Sequence, residues 1–191
     1  MKPSESTSRL LREACSAIEV GDLPQARTLL ARCPAVPLKS RRSTWSKRNL
    51  TRIFLRDGFT DRYAGEPLVF PGALRALSTL MPAEFPYHPN WQQSQTHPAY
   101  WLLYPTLDHL VPLARGGLDT EDNVVTTSML RNSQKANWLL EELGWATGLE
   151  PCLPDWDGLL PWFMRMFERE PVLRKITALR QWYAAARQAS G

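Results

Sequence analysis

Residues 106–138 read TLDHLVPLARGGLDTEDNVVTTSMLRNSQKANW, and their reading decides what is expected of the rest of the chain. Leu107, Leu110 and Val111 form a short apolar run that Pro112 ends and Gly116-Gly117 turns, because proline removes a ladder donor and glycine permits turn conformations. Val124, Val125, Thr126 and Thr127 are β-branched and predict a second strand, antiparallel to the first. Ser128 is placed to cap a helix that carries Asn132 and Lys135, runs on through Leu139, Leu140 and Leu143, and stops at Gly144. The expected unit is strand, strand, helix.

Its chemistry-bearing residues are Asp108, His109 and Asn132. Hydrolysis of a phosphodiester needs a base for water and a hard cation for the charge that builds on phosphate and leaving oxygen. A neutral histidine is such a base near pH 7, and carboxylate and amide oxygens suit Mg²⁺. Neighbouring residues on a strand face opposite ways, so a distorted strand end is expected if Asp108 and His109 are to address one phosphate. The plainer alternative is an ordinary turn whose asparagines are caps.

The segment resembles the HNH (ββα-metal) endonuclease family: Asp108, His109, Val111, Pro112, Gly116, Gly117 and Asn123 occupy the family's motif places, and Asn132 follows at the family's spacing, giving an H-N-N variant. The resemblance implies that His109 is the general base, that Asp108 and Asn132 hold Mg²⁺ or Mn²⁺, and that Asn123 braces the loop and orients His109. It implies double-stranded DNA as partner and metal-dependent phosphodiester hydrolysis as activity. Lys135, one helical turn beyond Asn132, is expected to touch a phosphate, and Arg115 to do so from the loop.

Upstream, residues 50–65 are similar to the helix and R-D-G-F-x-C-x-Y-C-G segment that many HNH proteins use as half of a four-cysteine zinc site. Arg56, Asp57, Gly58, Phe59, Tyr63 and Gly65 are kept, but Asp61 and Ala64 stand where the cysteines would be, and Ser128 and Arg131 stand at the partner positions. No structural zinc is expected, and a metal crosslink of that kind contributes much of a small domain's folding energy. The expected substitute is the insertion 66–105. There Pro71-Gly72 opens a helix carrying Leu74, Leu77, Leu80 and Met81, followed by Phe85, Tyr87, Trp91, Tyr100, Trp101 and Tyr104. These aromatics read first as packing and second as a platform or pocket for a base. His88 and His97 read as structural histidines.

The 191 residues, 43% of them hydrophobic, suffice for one core with small appendages. A net charge of +4 is compatible with a polyanionic partner without requiring one. Cys15, Cys33 and Cys152 form neither a CxxC pair nor a disulfide framework, and no membrane span is legible, so a cytoplasmic protein is expected. Residues 7–32 read as a helical hairpin with Asp22 capping its second helix and Gln25 at the capping-box position. A basic run follows, with Lys39, Arg41, Arg42, Lys47, Arg48 and Arg52 around Trp45; it reads as a DNA contact, with solvated linker charge as the alternative. Two C-terminal helices are expected, 159–168 and 172–187, the last packing on the hairpin.

The expected fold class is α+β and mostly helical. An HNH core (43–146) lies between a hairpin with basic linker (1–42) and a C-terminal helical extension (147–191). Other readings are a non-catalytic DNA-binding ββα-metal protein and an RNase or toxin-like nuclease. A place in restriction or phage defence rests on analogy alone. A homodimer is left open.

Overall fold

The computed structural model describes residues 5–33, 45–148, 152–153 and 155–189. It divides into two compact units, Met1–Ser40 and Arg41–Gly191. The first is the expected hairpin, α1 (Glu5–Glu19) and α2 (Leu23–Ala31). Asp22 Oδ1 accepts the Gln25 N–H at 3.0 Å, and the small buried residues Ala14, Ala17 and Ala26 let the helices approach. Lys39, Arg41 and Arg42 lie outside the described residues.

In the second unit, α3 (Lys47–Arg56) starts where Ser46 Oγ accepts the Asn49 N–H at 3.2 Å. Pro71 opens α4 (Pro71–Leu80), as expected of proline in a first turn, and α5 (Ala99–Leu102) is a single turn. The strands β1 (Pro105–His109) and β2 (Val124–Ser128) pair antiparallel, Thr106 opposite Thr127 and Asp108 opposite Val125. Ser128 caps α6 (Met129–Lys135) by accepting the Arg131 N–H at 3.2 Å. The strand-strand-helix order is therefore as read, although β1 ends at His109 and excludes Leu110 and Val111.

The single long helix expected after Ser128 is two. Ala136 takes φ 46°, and α7 (Leu140–Leu143) restarts where Glu142 Oε2 accepts the Leu139 N–H at 2.8 Å. Gly144 ends it in the left-handed region, as expected. The C-terminal segment differs similarly, with α8 (Leu160–Arg169), α9 (Pro171–Arg174) and α10 (Thr177–Ala189). The break before α10 is filled by Arg180, whose guanidinium donates back to Arg174 O at 2.8 Å and to Thr177 Oγ1 at 2.9 Å.

These C-terminal helices are not an extension. Phe163, Phe167, Leu179 and Trp182 are buried with Phe54, Phe59, Phe70 and Leu74 in one core, and Phe70 packs on Phe163 and Trp182 at centroid distances of 5.4 and 5.5 Å. Each such side chain contributes roughly 1.5–3 kcal/mol on burial. Within the second unit, α10 packs on α3 and α4.

A two-stranded ribbon leaves backbone groups unpaired along its outer edge. Here the R-D-G-F segment covers them. Arg56 Nη2 donates to Val124 O at 2.8 Å, Asp57 Oδ2 accepts the Thr126 N–H at 2.8 Å, and the Arg62 N–H donates to Thr126 O at 2.9 Å. Asp61 Oδ2 accepts the Ser128 N–H at 2.9 Å. Side chains thus replace a third strand, and β2 is buried along its whole length. The fold is mostly helical with one small antiparallel sheet, an α+β arrangement. Among the described residues no helix is long and apolar enough to cross a membrane.

Candidate functional site

At the end of β1, Asp108 and His109 point to different partners. Asp108 is 5% exposed, and its Oδ2 accepts the Tyr63 hydroxyl at 2.6 Å and Lys135 Nζ at 2.9 Å. Burial raises the Asp108 pKa above the usual carboxylate range, opposed by the Lys135 ammonium and the Tyr63 hydrogen bond. Burial and the adjacent carboxylate push the Tyr63 hydroxyl far above its ordinary value, which keeps it a donor.

Lys135 Nζ also donates to His109 O at 2.7 Å, and the residue is fully buried. The phosphate contact expected of Lys135 is therefore corrected. Its helix face meets β1, and its ammonium is spent on Asp108 and the His109 carbonyl. Lys135→Met is expected to cost about 3–5 kcal/mol, because it leaves a buried carboxylate without its cation. Thermal denaturation should show this, with partial recovery when Asp108→Asn is added.

Asn132 staples α6 to β1, its Nδ2 donating to Thr106 Oγ1 at 3.0 Å and Leu107 O at 2.9 Å. A flipped amide would set oxygen against the Leu107 carbonyl, so the network fixes Nδ2 as the atom on β1 and leaves Oδ1 outside these two bonds. The contacts of Asp108 fall on Oδ2 and those of Asn132 on Nδ2. Two hard oxygens remain at the β1–α6 junction, a donor set that fits Mg²⁺ or Mn²⁺ with water completing the shell. Among the described residues there is no group of three or more His, Cys, Asp or Glu that could hold a metal.

His109 sits with Nε2 2.9 Å from Asp119 Oδ1, and the Trp45 indole N–H donates to the same oxygen at 2.9 Å. A carboxylate only accepts, so Nε2 carries the proton and Nδ1 is the basic nitrogen of the neutral ring. Sequence reading assigned Asp119 no role. Its one signal is its position just after the Gly116-Gly117 turn. Tyr63 was noted as a motif residue only.

Asn123 braces the loop as expected: Oδ1 accepts the Val111 N–H at 3.0 Å, and Nδ2 donates to Val111 O at 2.9 Å and Leu118 O at 2.8 Å. Gly117 is required by this closure, since a Cβ there would lie 1.8 Å from Val111 O, and Gly116 takes φ 90°. Holding Leu118 fixes the backbone next to Asp119. Asn123 therefore acts on His109 through the loop and Asp119.

Arg115 is committed to Glu142, Nη2 to Oε1 at 2.7 Å. The Leu139 N–H, and then Arg115, hold the Glu142 carboxyl below its ordinary range. A lowered folded-state value means that this contribution is present above the unfolded-state pKa and lost as pH falls through the folded one. Protection of the Leu139 amide, its exchange rate relative to the intrinsic rate at each pH, is expected to fall as pH drops through the Glu142 titration, and Glu142→Gln should remove that change in protection. Of the basic run, Lys47 lies over the Trp182 ring at 5.3 Å, Arg52 pairs with Glu121, and Arg48 is exposed at the start of α3.

The positions matching absent zinc ligands meet in space. Asp61, fully buried, accepts Thr127 Oγ1 at 3.0 Å and the Ser128 N–H at 2.9 Å on Oδ2, and the Tyr63 N–H at 3.0 Å on Oδ1. Arg131 Nε is 3.3 Å from Asp61 Oδ2, and its guanidinium lies over Trp145 at 5.7 Å. A carboxylate node thus joins the 56–65 segment to the β2–α6 junction. The insertion aromatics pack as well, with Trp91 and Tyr87 against Tyr100 at 5.5 and 5.1 Å. His97 stacks on Phe85 at 4.2 Å, and Nδ1 of His88 accepts the Asn90 N–H at 3.2 Å, both structural uses.

Comparison with protein-family models, curated proteins and solved structures returns no match for this chain.

Proposed function

We propose that the chain is an HNH (ββα-metal) endonuclease that hydrolyses DNA phosphodiester bonds. The observation that supports this reading is that β1 carries Asp108 and His109, that α6 carries Asn132 hydrogen-bonded to β1 through Leu107 O, and that Asp119 from the intervening loop orients His109. His109 Nδ1 takes the proton of the attacking water, and Asp119 holds the ring and stabilises the imidazolium that results. Asp108 and Asn132 would hold the divalent cation. When bound, that ion supplies charge stabilisation for the phosphate and the departing 3′ oxygen. Asn123 keeps the loop closed around this geometry, and Arg48 on α3 is available to the DNA backbone.

One observation favours a second reading, a DNA-binding protein without turnover: the Lys135 ammonium already neutralises Asp108. Plasmid nicking by purified protein separates the two. Loss of supercoiled DNA with Mg²⁺ or Mn²⁺, and its retention with EDTA, is expected. Salt-sensitive binding to plain and cytosine-modified plasmid with no cleavage of either would establish the second reading. An RNA substrate run alongside tests the choice of DNA.

A further inference from the structure

A cleft of about 200 Å³ opens between α3, α4, α10 and the aromatic insertion, away from the residues assigned above to metal and base. Tyr87, Trp91, Tyr104 and Trp182 supply ring walls, and Lys47 and Arg75 supply two cations, with no carboxylate in the lining. Arg75 Cζ lies 4.0 Å from the Tyr87 ring centroid and Lys47 Nζ 5.3 Å from that of Trp182, so each cation is held at the face of a wall.

Three features narrow the ligand. Its volume is below the roughly 300–1,000 Å³ of pockets for drug-sized molecules, so it suits one ring system. The aromatic faces favour a planar ring, and two cations without an acid favour an attached anion. The hydroxyls of Tyr87 and Tyr104 have no hydrogen-bond partner among the described residues, which leaves donors for the edge of a heterocycle. Burial, with the neighbouring tyrosines, raises the Tyr104 pKa and keeps that donor protonated.

We infer that this cleft receives a single unpaired nucleotide of the DNA, its base against the rings and its phosphate on Lys47 and Arg75. Tyr104 directly precedes β1, four residues before Asp108. At ~3.3 Å per strand residue the separation is roughly 13 Å. The cleft therefore selects an extruded or mismatched base. Unstacking such a base costs less than unstacking a paired one, which makes the contact selective.

This inference rests on the nuclease reading, and its test separates the two. The full chain in EDTA is titrated into a duplex carrying one bulged 2-aminopurine, into the same duplex fully paired, and into free 2-aminopurine deoxynucleoside monophosphate, with fluorescence as readout. Saturable quenching of the bulged probe is expected, weakened by about fivefold or more in Arg75→Gln and in Tyr87→Leu. No quenching, or quenching unchanged in both variants, overturns the inference. Equal affinity for the free monophosphate overturns DNA as the source of the nucleotide. Plasmid cleavage without quenching leaves the nuclease and removes the cleft, whereas quenching without cleavage does the reverse.

Discussion

Asp61→Ala is expected to cost about 3–5 kcal/mol and to lower the unfolding temperature by roughly 10 °C. The residue is fully buried, and its removal strands the N–H groups of Tyr63 and Ser128 and the Thr127 hydroxyl, and leaves the half-buried Arg131 guanidinium with Glu66 as its remaining carboxylate. Each unsatisfied buried group costs about 1–3 kcal/mol, more where it is charged. Adding Arg131→Met removes a charge that has lost its buried partner and should return only a small part of the loss, because the backbone donors stay unpaired. A near-wild-type melting curve for Asp61→Ala would mean that the bonds from Arg56, Asp57 and the Arg62 N–H suffice to join the 56–65 segment to β2. Asp61→Asn is expected to fall between, keeping an acceptor while losing the charge.

His109→Ala is expected to reduce plasmid cleavage by about 10²–10⁴-fold, the usual contribution of a positioned general base. Thermal stability should change little, since the ring's described polar contact is the partly exposed Asp119 carboxylate. Imidazole added to His109→Ala should restore part of the activity, an effect that a merely structural histidine would not show. Asp119→Ala is expected to lose less, on the order of 10–100-fold, because the base remains but its orientation does not. Substrate affinity is expected to hold in both variants. A His109→Ala protein that cuts at the wild-type rate would sink the proposed mechanism outright.

Much of the local structure was legible. The Asp22 and Ser128 caps, the Gly144 stop and the β-branched second strand all follow from residues close together in the chain, whereas the loop brace from Asn123 was expected from the family resemblance alone. Side-chain fate was less legible. Lys135 shares a helix face with Asn132 as its spacing demands, yet that face is covered by β1, so a residue expected at a phosphate is buried in an ion pair. Arg115 was read as a DNA contact and instead ties the loop to Glu142. The C-terminal helices were read as an appendage because their apolar period says only that one side is covered, not by what.

By itself, then, the sequence determined the strand-strand-helix order, its turns and caps, and the residues able to do acid–base and oxygen-ligand chemistry, because each depends on backbone preferences and neighbours within a few positions. The tertiary structure decided what those residues touch. Asp57 meets Thr126 across 69 residues, Asp61 meets Thr127 across 66, and Trp45 meets Asp119 across 74. Such pairings are set by which buried surfaces close on one another. No local pattern records whether a carboxylate finds a metal, a lysine or a row of backbone N–H groups.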